Sequence, residues 1–212
     1  MNEIVPAILT KDNNDLKAKF LSLESLVPRV QVDIIDGVFA DNKTVDLTAI
    51  RSLRRSFKLD LHLMVKEPAK WINRSREVMA DNLIAQVEMM TDSQKFLGEV
   101  VNAGMRVGLA LDLVTPVERI PAEVYLKLNS VLLMAVPAGF SGQQFNSQVL
   151  EKIKKIKGIV GDLVEIIIDG GLNEENILKC KKVGANTFVV TTAFWEAKDL
   201  RERYQQLVTL IK

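Results

Sequence analysis

The chain has 212 residues, 48% of them hydrophobic, which is enough for one well-buried core. Its 28 Lys and Arg against 27 Asp and Glu leave a formal net charge of +1, which argues against a nucleic-acid partner or a polybasic membrane-surface patch. A single cysteine, Cys180, excludes an intramolecular disulfide, and no apolar run approaches the ~18 residues of a membrane span. Residues 1–9 also lack the basic start and long apolar stretch of a signal peptide. A soluble, cytoplasmic protein with a small ligand is the expectation.

Short apolar runs alternate with longer amphipathic stretches. The first run, Glu3–Leu9, precedes helical spacing at Leu16, Phe20, Leu23 and Leu26. The second, Arg29–Ile35, stops at the turn Asp36-Gly37, and Asp46 is placed to cap a helix over Leu47–Arg55. The third, Lys58–Met64, is followed by Pro68, which suits a first helical turn. The fourth and fifth runs are Asn82–Glu88 and Arg106–Leu111, with Gly104 suited to a helix end before the fifth. Pro116 and Pro121 then leave room for only a short helix. The sixth, Ser130–Val136, leads through Gly139-Phe140-Ser141-Gly142-Gln143 to a stripe at Val149, Ile153, Ile156 and Val160. The seventh, Leu163–Asp169, ends on Gly170-Gly171. Asn173 then precedes a stripe at Ile177, Cys180 and Val183, where Cys180 acts as a packing residue and Gly184 suits the helix end. The eighth, Thr187–Val190, is followed by Leu200, Tyr204, Leu207 and Leu210.

Runs of this length suit strands buried on both faces. Eight of them, each followed by a helical segment, predict a single (β/α)8 TIM barrel over residues 1–212. An open doubly wound sheet is the rival, but no G-x-G-x-x-G fingerprint follows the first run. In the barrel, strand C-termini build the reacting face, and Asp33, His62, Glu88, Asp112 and Asp169 lie there or nearby.

Asp33 is a carboxylate inside an apolar strand, a costly placement unless it is paired or bound. A turn acid or an ion-pair partner is the alternative. Asp36, beside Gly37, reads as a turn-former. His62 is the only histidine and shares a strand face with Asp60 by two-residue alternation. The glycines at 170 and 171, with the loop at 139–143, suit backbone amides that hold an anion. Two carboxylates and a histidine permit metal-assisted acid/base work or metal-free proton transfer between two acids.

At these residues the chain resembles the ribulose-phosphate 3-epimerase family, (β/α)8 barrels that invert carbon 3 of a pentulose 5-phosphate. The resemblance runs from Pro6-Ala7-Ile8-Leu9 through Val32–Phe39, Asp60–Val65 and Glu67-Pro68 to Met134–Gln143 and Ile168–Leu172. It implies that Asp33 and Asp169 are the acid/base pair. It implies a divalent cation (Zn, Fe, Mn or Mg) at His62, Asp33 and Asp169, with Gln31 as a weak fourth ligand or a substrate contact. It implies phosphate contacts from Gly139, Ser141, Gly142, Gly170, Gly171, Thr191 and Thr192, with Ala7, Met64 and Met134 lining the pocket. A small phosphorylated sugar is the partner, and family members commonly self-associate into homo-oligomers.

Departures from the family pattern are concentrated in the same places. Gln31 stands where the family has a ligating histidine, Ala7 where it has serine, and Gln86 where it has histidine. Thr191-Thr192 replaces Gly-Ser, and Pro137–Gly142 alters an Asn-Pro-Gly-Phe-Gly-Gly loop. An amide oxygen in place of imidazole weakens a zinc-type site or shifts it toward harder cations. A catalytically silent barrel binding a phosphorylated ligand or a protein is the second reading. A phosphosugar decarboxylase ranks last, since neither the second nor the third strand motif supplies the lysine those sites need among the strand-end acids.

Overall fold

The structure is a computed structural model that describes residues 2–212. Eight parallel strands close into a barrel in sequence order. They are β1 (Glu3–Ile8), β2 (Arg29–Ile35), β3 (Lys58–Met64), β4 (Asn82–Gln86), β5 (Arg106–Leu111), β6 (Ser130–Met134), β7 (Glu165–Asp169) and β8 (Thr187–Val190). The expected TIM barrel is the fold observed. β1, β4 and β6 end one or two residues earlier than the apolar runs, and β7 starts two later, because pairing stops where the chain leaves the barrel rim.

Pleating sorts each strand into two cores. Val30, Val32 and Ile34 of β2, and Leu59, Leu61 and Leu63 of β3, point outward into the layer shared with the helices. Inside the barrel a smaller cluster comprises Val5, Ala7, Ile84, Ala110, Leu132, Met134, Val136, Ile167 and Val189. The inward positions of β2 are the polar series Arg29, Gln31 and Asp33, all buried. One strand therefore threads three polar side chains up the barrel axis, with only Asp33 reaching the upper end.

The helices follow their local signals. Asp12, Asp46, Asp92, Asn173 and Asp199 each accept a hydrogen bond from a backbone N–H in the first turn they precede. The helix after Asp46 is shorter than expected, Leu47–Arg51 rather than Leu47–Arg55, with Leu53 N bonded back to Ile50 O. Pro68 opens a 3-10 turn, Pro68–Trp71, rather than an α-helix, and the fifth connection carries only Val117–Arg119 and Ala122–Tyr125. Trp195 closes the barrel's last turn, donating its indole N–H to the Ala7 carbonyl at 2.7 Å. No helix among the described residues is long and apolar enough to cross a membrane.

Candidate active site

Register brings the polar residues together. Asp33 of β2 pairs in register with His62 of β3, and Asp169 of β7 pairs with Met134 of β6. Asp33, His62 and Asp169 offer ligand atoms that all lie within 4.8 Å of one another. His62 Nδ1 lies 3.2 Å from Asp33 Oδ1 and 3.7 Å from Asp169 Oδ2. Between the two carboxylates sits the Gln31 amide, which donates from Nε2 to Asp33 Oδ1 at 2.8 Å and to Asp169 Oδ2 at 2.7 Å. Gln31 and His62 are fully buried, while Asp33 and Asp169 keep 5% and 7% exposure. The two acids therefore face a cavity and the other two residues lie beneath them.

Burial pushes the Asp33 carboxyl up, its hydrogen bond to His62 pulls it down, and the Asp169 charge pushes it up again; the net direction is upward. Burial by itself lowers the His62 pKa. Hydrogen bonds to Asp169 and Asp33, with the charges of both, override it and raise the imidazole to about 9. His62 is then an imidazolium near neutrality when no cation is bound. On its far side, Gln86 Nε2 lies 3.2 Å from His62 Nε2, and two N–H donors cannot face each other productively. The Gln86 Oε1 is buried without a partner. Turning that amide end for end places Oε1 against an imidazole N–H and gives the orphaned oxygen its partner. Gln31 Oε1 is likewise buried and unpartnered, a cost of about 1–3 kcal/mol.

Two anionic oxygens and an imidazole nitrogen converging on one gap are a donor set that fits a divalent cation.

Above this cluster lies a cavity of about 270 Å³. Asp33 and Asp169 form its floor, with Leu9, Met64, Met134, Val136 and Val189 as apolar wall. Gly139, Ser141, Gly142, Gly170, Gly171, Thr191 and Thr192 all line it, so the two glycine loops and the turn after β8 do meet. Ala7 does not. Its short side chain is wholly buried in the inner barrel cluster, below the cavity. Glu88 and Asp112 are also outside the lining. Glu88 accepts from the Asp112 N–H, and the Asp112 carboxylate accepts from Ala138 N, so these acids brace the loop after β6. Asp36 acts as expected of a turn-former, accepting from the N–H groups of Val38, Phe39 and Lys66.

Several contacts at the site were not expected from the sequence. Asn42, buried, donates to the Gly139 carbonyl at 2.6 Å and ties the loop after β2 to the loop after β6. Gln143 donates to the carbonyls of Pro137 and Phe140 and folds that loop on itself. Glu196 and Asn173 complete the rim, and among the described residues no Lys or Arg lines the cavity. An anion held here would meet backbone N–H groups and the side-chain donors of Ser141, Asn173, Thr191 and Thr192.

Gly171 shows why glycine is needed. Its φ is +63°, and a Cβ would lie 2.7 Å from Phe145 Cα and against the Phe145 nitrogen. Gly171→Ala is expected to cost about 1–3 kcal/mol, from overpacking and backbone strain together. Urea denaturation measures the loss, and an unchanged midpoint would show that the loop yields freely.

The model of the ribulose-phosphate 3 epimerase family matches residues 3–195. A ribulose-phosphate 3-epimerase of Bacillus subtilis is 30% identical over 216 residues, covering 98% of this chain and 98% of the relative. The cytoplasmic isoform from rice is 31% identical, covering 93% and 89%. Among solved structures, a tryptophan synthase α-subunit from Pyrococcus furiosus superposes with a TM-score of 0.69 at 14% identity, covering 100% of this chain and 98% of that one. Orotidine 5′-phosphate decarboxylase from Pyrococcus horikoshii gives 0.67 at 16% identity, covering 98% of each. At those identities the structural likeness concerns the barrel alone.

Proposed function

Because this chain belongs to the ribulose-phosphate 3-epimerase family, we propose that it inverts carbon 3 of a pentulose 5-phosphate with Asp33 and Asp169 as the acid/base pair. The observation that carries this is the cavity floor. Two carboxylates from β2 and β7 face the same space, and one buried amide hydrogen-bonds both.

The phosphate lies toward Gly142, Gly170, Gly171 and the Thr191-Thr192 turn, where backbone N–H groups supply the donors. Met64, Met134 and Val136 pack along the carbon chain and keep water from the reacting centre. One ionised carboxylate takes the carbon-3 proton and leaves an enediolate. The other, protonated at the start, returns a proton to the opposite face of the same carbon. The upward shift of Asp33, driven by burial and by the Asp169 charge, is the asymmetry that lets one acid start protonated. When bound by Asp33, His62 and Asp169, a divalent cation supplies positive charge that stabilises the enediolate oxygens.

The test follows carbon 3 of ribulose 5-phosphate by NMR in deuterated water, with bound metal measured on the same sample. The expected result is deuterium at carbon 3 and formation of the epimer. Folded, cation-loaded protein that binds the sugar without exchange would instead establish the silent barrel. The replacement of two of the family's histidines by Gln31 and Gln86, both at the His62 cluster, favours that second reading.

A further inference from the structure

Gln31 holds an unusual place. Its Nε2 donates to both carboxylates, at 2.8 and 2.7 Å, and lies 3.5 Å from His62 Nδ1. That is the gap into which the three ligand atoms converge. An amide NH₂ cannot face a cation, so in this orientation Gln31 closes the metal site. Its own Oε1 meanwhile has no partner, although the residue is fully buried. The oxygen and nitrogen of an amide exchange places on a half-turn of the terminal torsion, with almost no change in shape.

We propose that Gln31 is a two-position ligand: with Nε2 inward it bridges the acids of the empty site, and with Oε1 inward it completes a three-oxygen, one-nitrogen donor set that favours a hard divalent cation. This rests on the metal-assisted form of the function proposed above. With the amide turned, Oε1 takes the place of Nε2, 2.7–2.8 Å from an oxygen of each carboxylate. The oxygen-rich donor set points toward Mg²⁺ or Mn²⁺ rather than Zn²⁺. Such a spacing between three oxygens is repulsive without a cation, so the ion itself drives the turn. Gln86 stays with Oε1 on the His62 Nε2–H, which leaves Nδ1 as the ligand atom.

Calorimetric titration of chelator-treated protein with Mn²⁺ and with Zn²⁺ tests this without reference to activity. The comparison is between the native chain, Gln31→Leu and Gln31→His, each checked for folding by thermal unfolding. If Gln31 supplies a ligand, Gln31→Leu weakens Mn²⁺ binding by about tenfold, and Gln31→His tightens Zn²⁺ by about tenfold or more relative to Mn²⁺. If Gln31 only plugs the site, Gln31→Leu leaves binding of both ions unchanged or tightens it, and the proposal fails. Should Gln31→Leu not fold, Gln31→Met, of similar volume and without an oxygen donor, takes its place and is read in the same way. A native chain that binds neither ion also overturns the proposal. Ion binding as described, without carbon-3 exchange, would leave it standing and remove the epimerase reading instead.

Discussion

Replacing Asp169 by asparagine is expected to lower epimerisation by about a thousandfold, within the range for removal of a positioned acid or base. The substitution keeps the shape of the side chain and takes away its capacity to exchange a proton. Asp33→Asn is expected to do the same. The sharper consequence concerns proton exchange from each epimer separately. With two acids on opposite sides of carbon 3, each epimer presents its proton to only one of them. Asp169→Asn therefore loses exchange from one epimer and keeps part of it from the other, and Asp33→Asn shows the reverse preference. A single acid doing both jobs would give loss from both epimers in one variant and little loss in the other. Both residues are also candidate cation ligands, so metal content must be measured on the same samples. Full epimerisation by either variant would exclude that residue from the chemistry.

The sequence made Asp33, His62 and Asp169 visible for one reason. Ionisable groups inside runs of Val, Ile and Leu are costly to bury, so their presence calls for a partner. The barrel was visible because eight such runs alternate with helical stripes. What stayed hidden depends on register and reach. Alternation put Asp60 on the face of His62, and both do point inward, but Asp60 lies one layer lower and pairs with Arg29. That Gln31 meets Asp169, 138 positions away, depends on how β2 and β7 stagger across the closed barrel. Ala7 sits in the expected motif but is too short to reach the cavity. Asn42 gave no signal at all, because a buried asparagine in a loop looks like any turn residue until its partner, the Gly139 carbonyl, is in place.

The layer beneath the site leads to the second large effect. At the lower end of the barrel, Arg29 donates from Nε and Nη2 to Asp60 Oδ2 at 2.9 and 2.6 Å, and from Nη1 to Glu3 at 2.8 Å and Glu165 at 2.5 Å. Arg29 and Asp60 are 6% and 2% exposed, so neither is screened by water. Burial opposes the Arg29 charge, but Asp60 and Glu165 override it and hold the guanidinium ionised. Burial raises Asp60, with Arg29 the main force against it, and Arg29 keeps Glu165 below its ordinary value despite burial. Arg29→Met retains an aliphatic stem, leaves Asp60 without its cation, and leaves Glu165 with only the more exposed Arg106, at 3.2 Å. The expected loss is about 3–5 kcal/mol at neutral pH, the range for breaking a buried pair from one side. Its pH dependence identifies the cause. In the variant, Asp60 has a folded pKa raised further above its unfolded value. Such a group contributes stability below the unfolded pKa and loses it as pH rises through the folded one. The deficit is therefore largest near neutrality and shrinks toward pH ~4, where Glu165 in the native chain also begins to lose its advantage. Urea denaturation across that range reads it directly. A deficit that is the same at every pH would mean lost packing rather than an unpaired charge. Adding Asp60→Leu to Arg29→Met should recover part of the loss, because the charge left unpaired is then removed. Any protein that remains folded should retain its carbon-3 exchange, since this cluster lies at the barrel end opposite the cavity, where side chains serve stability.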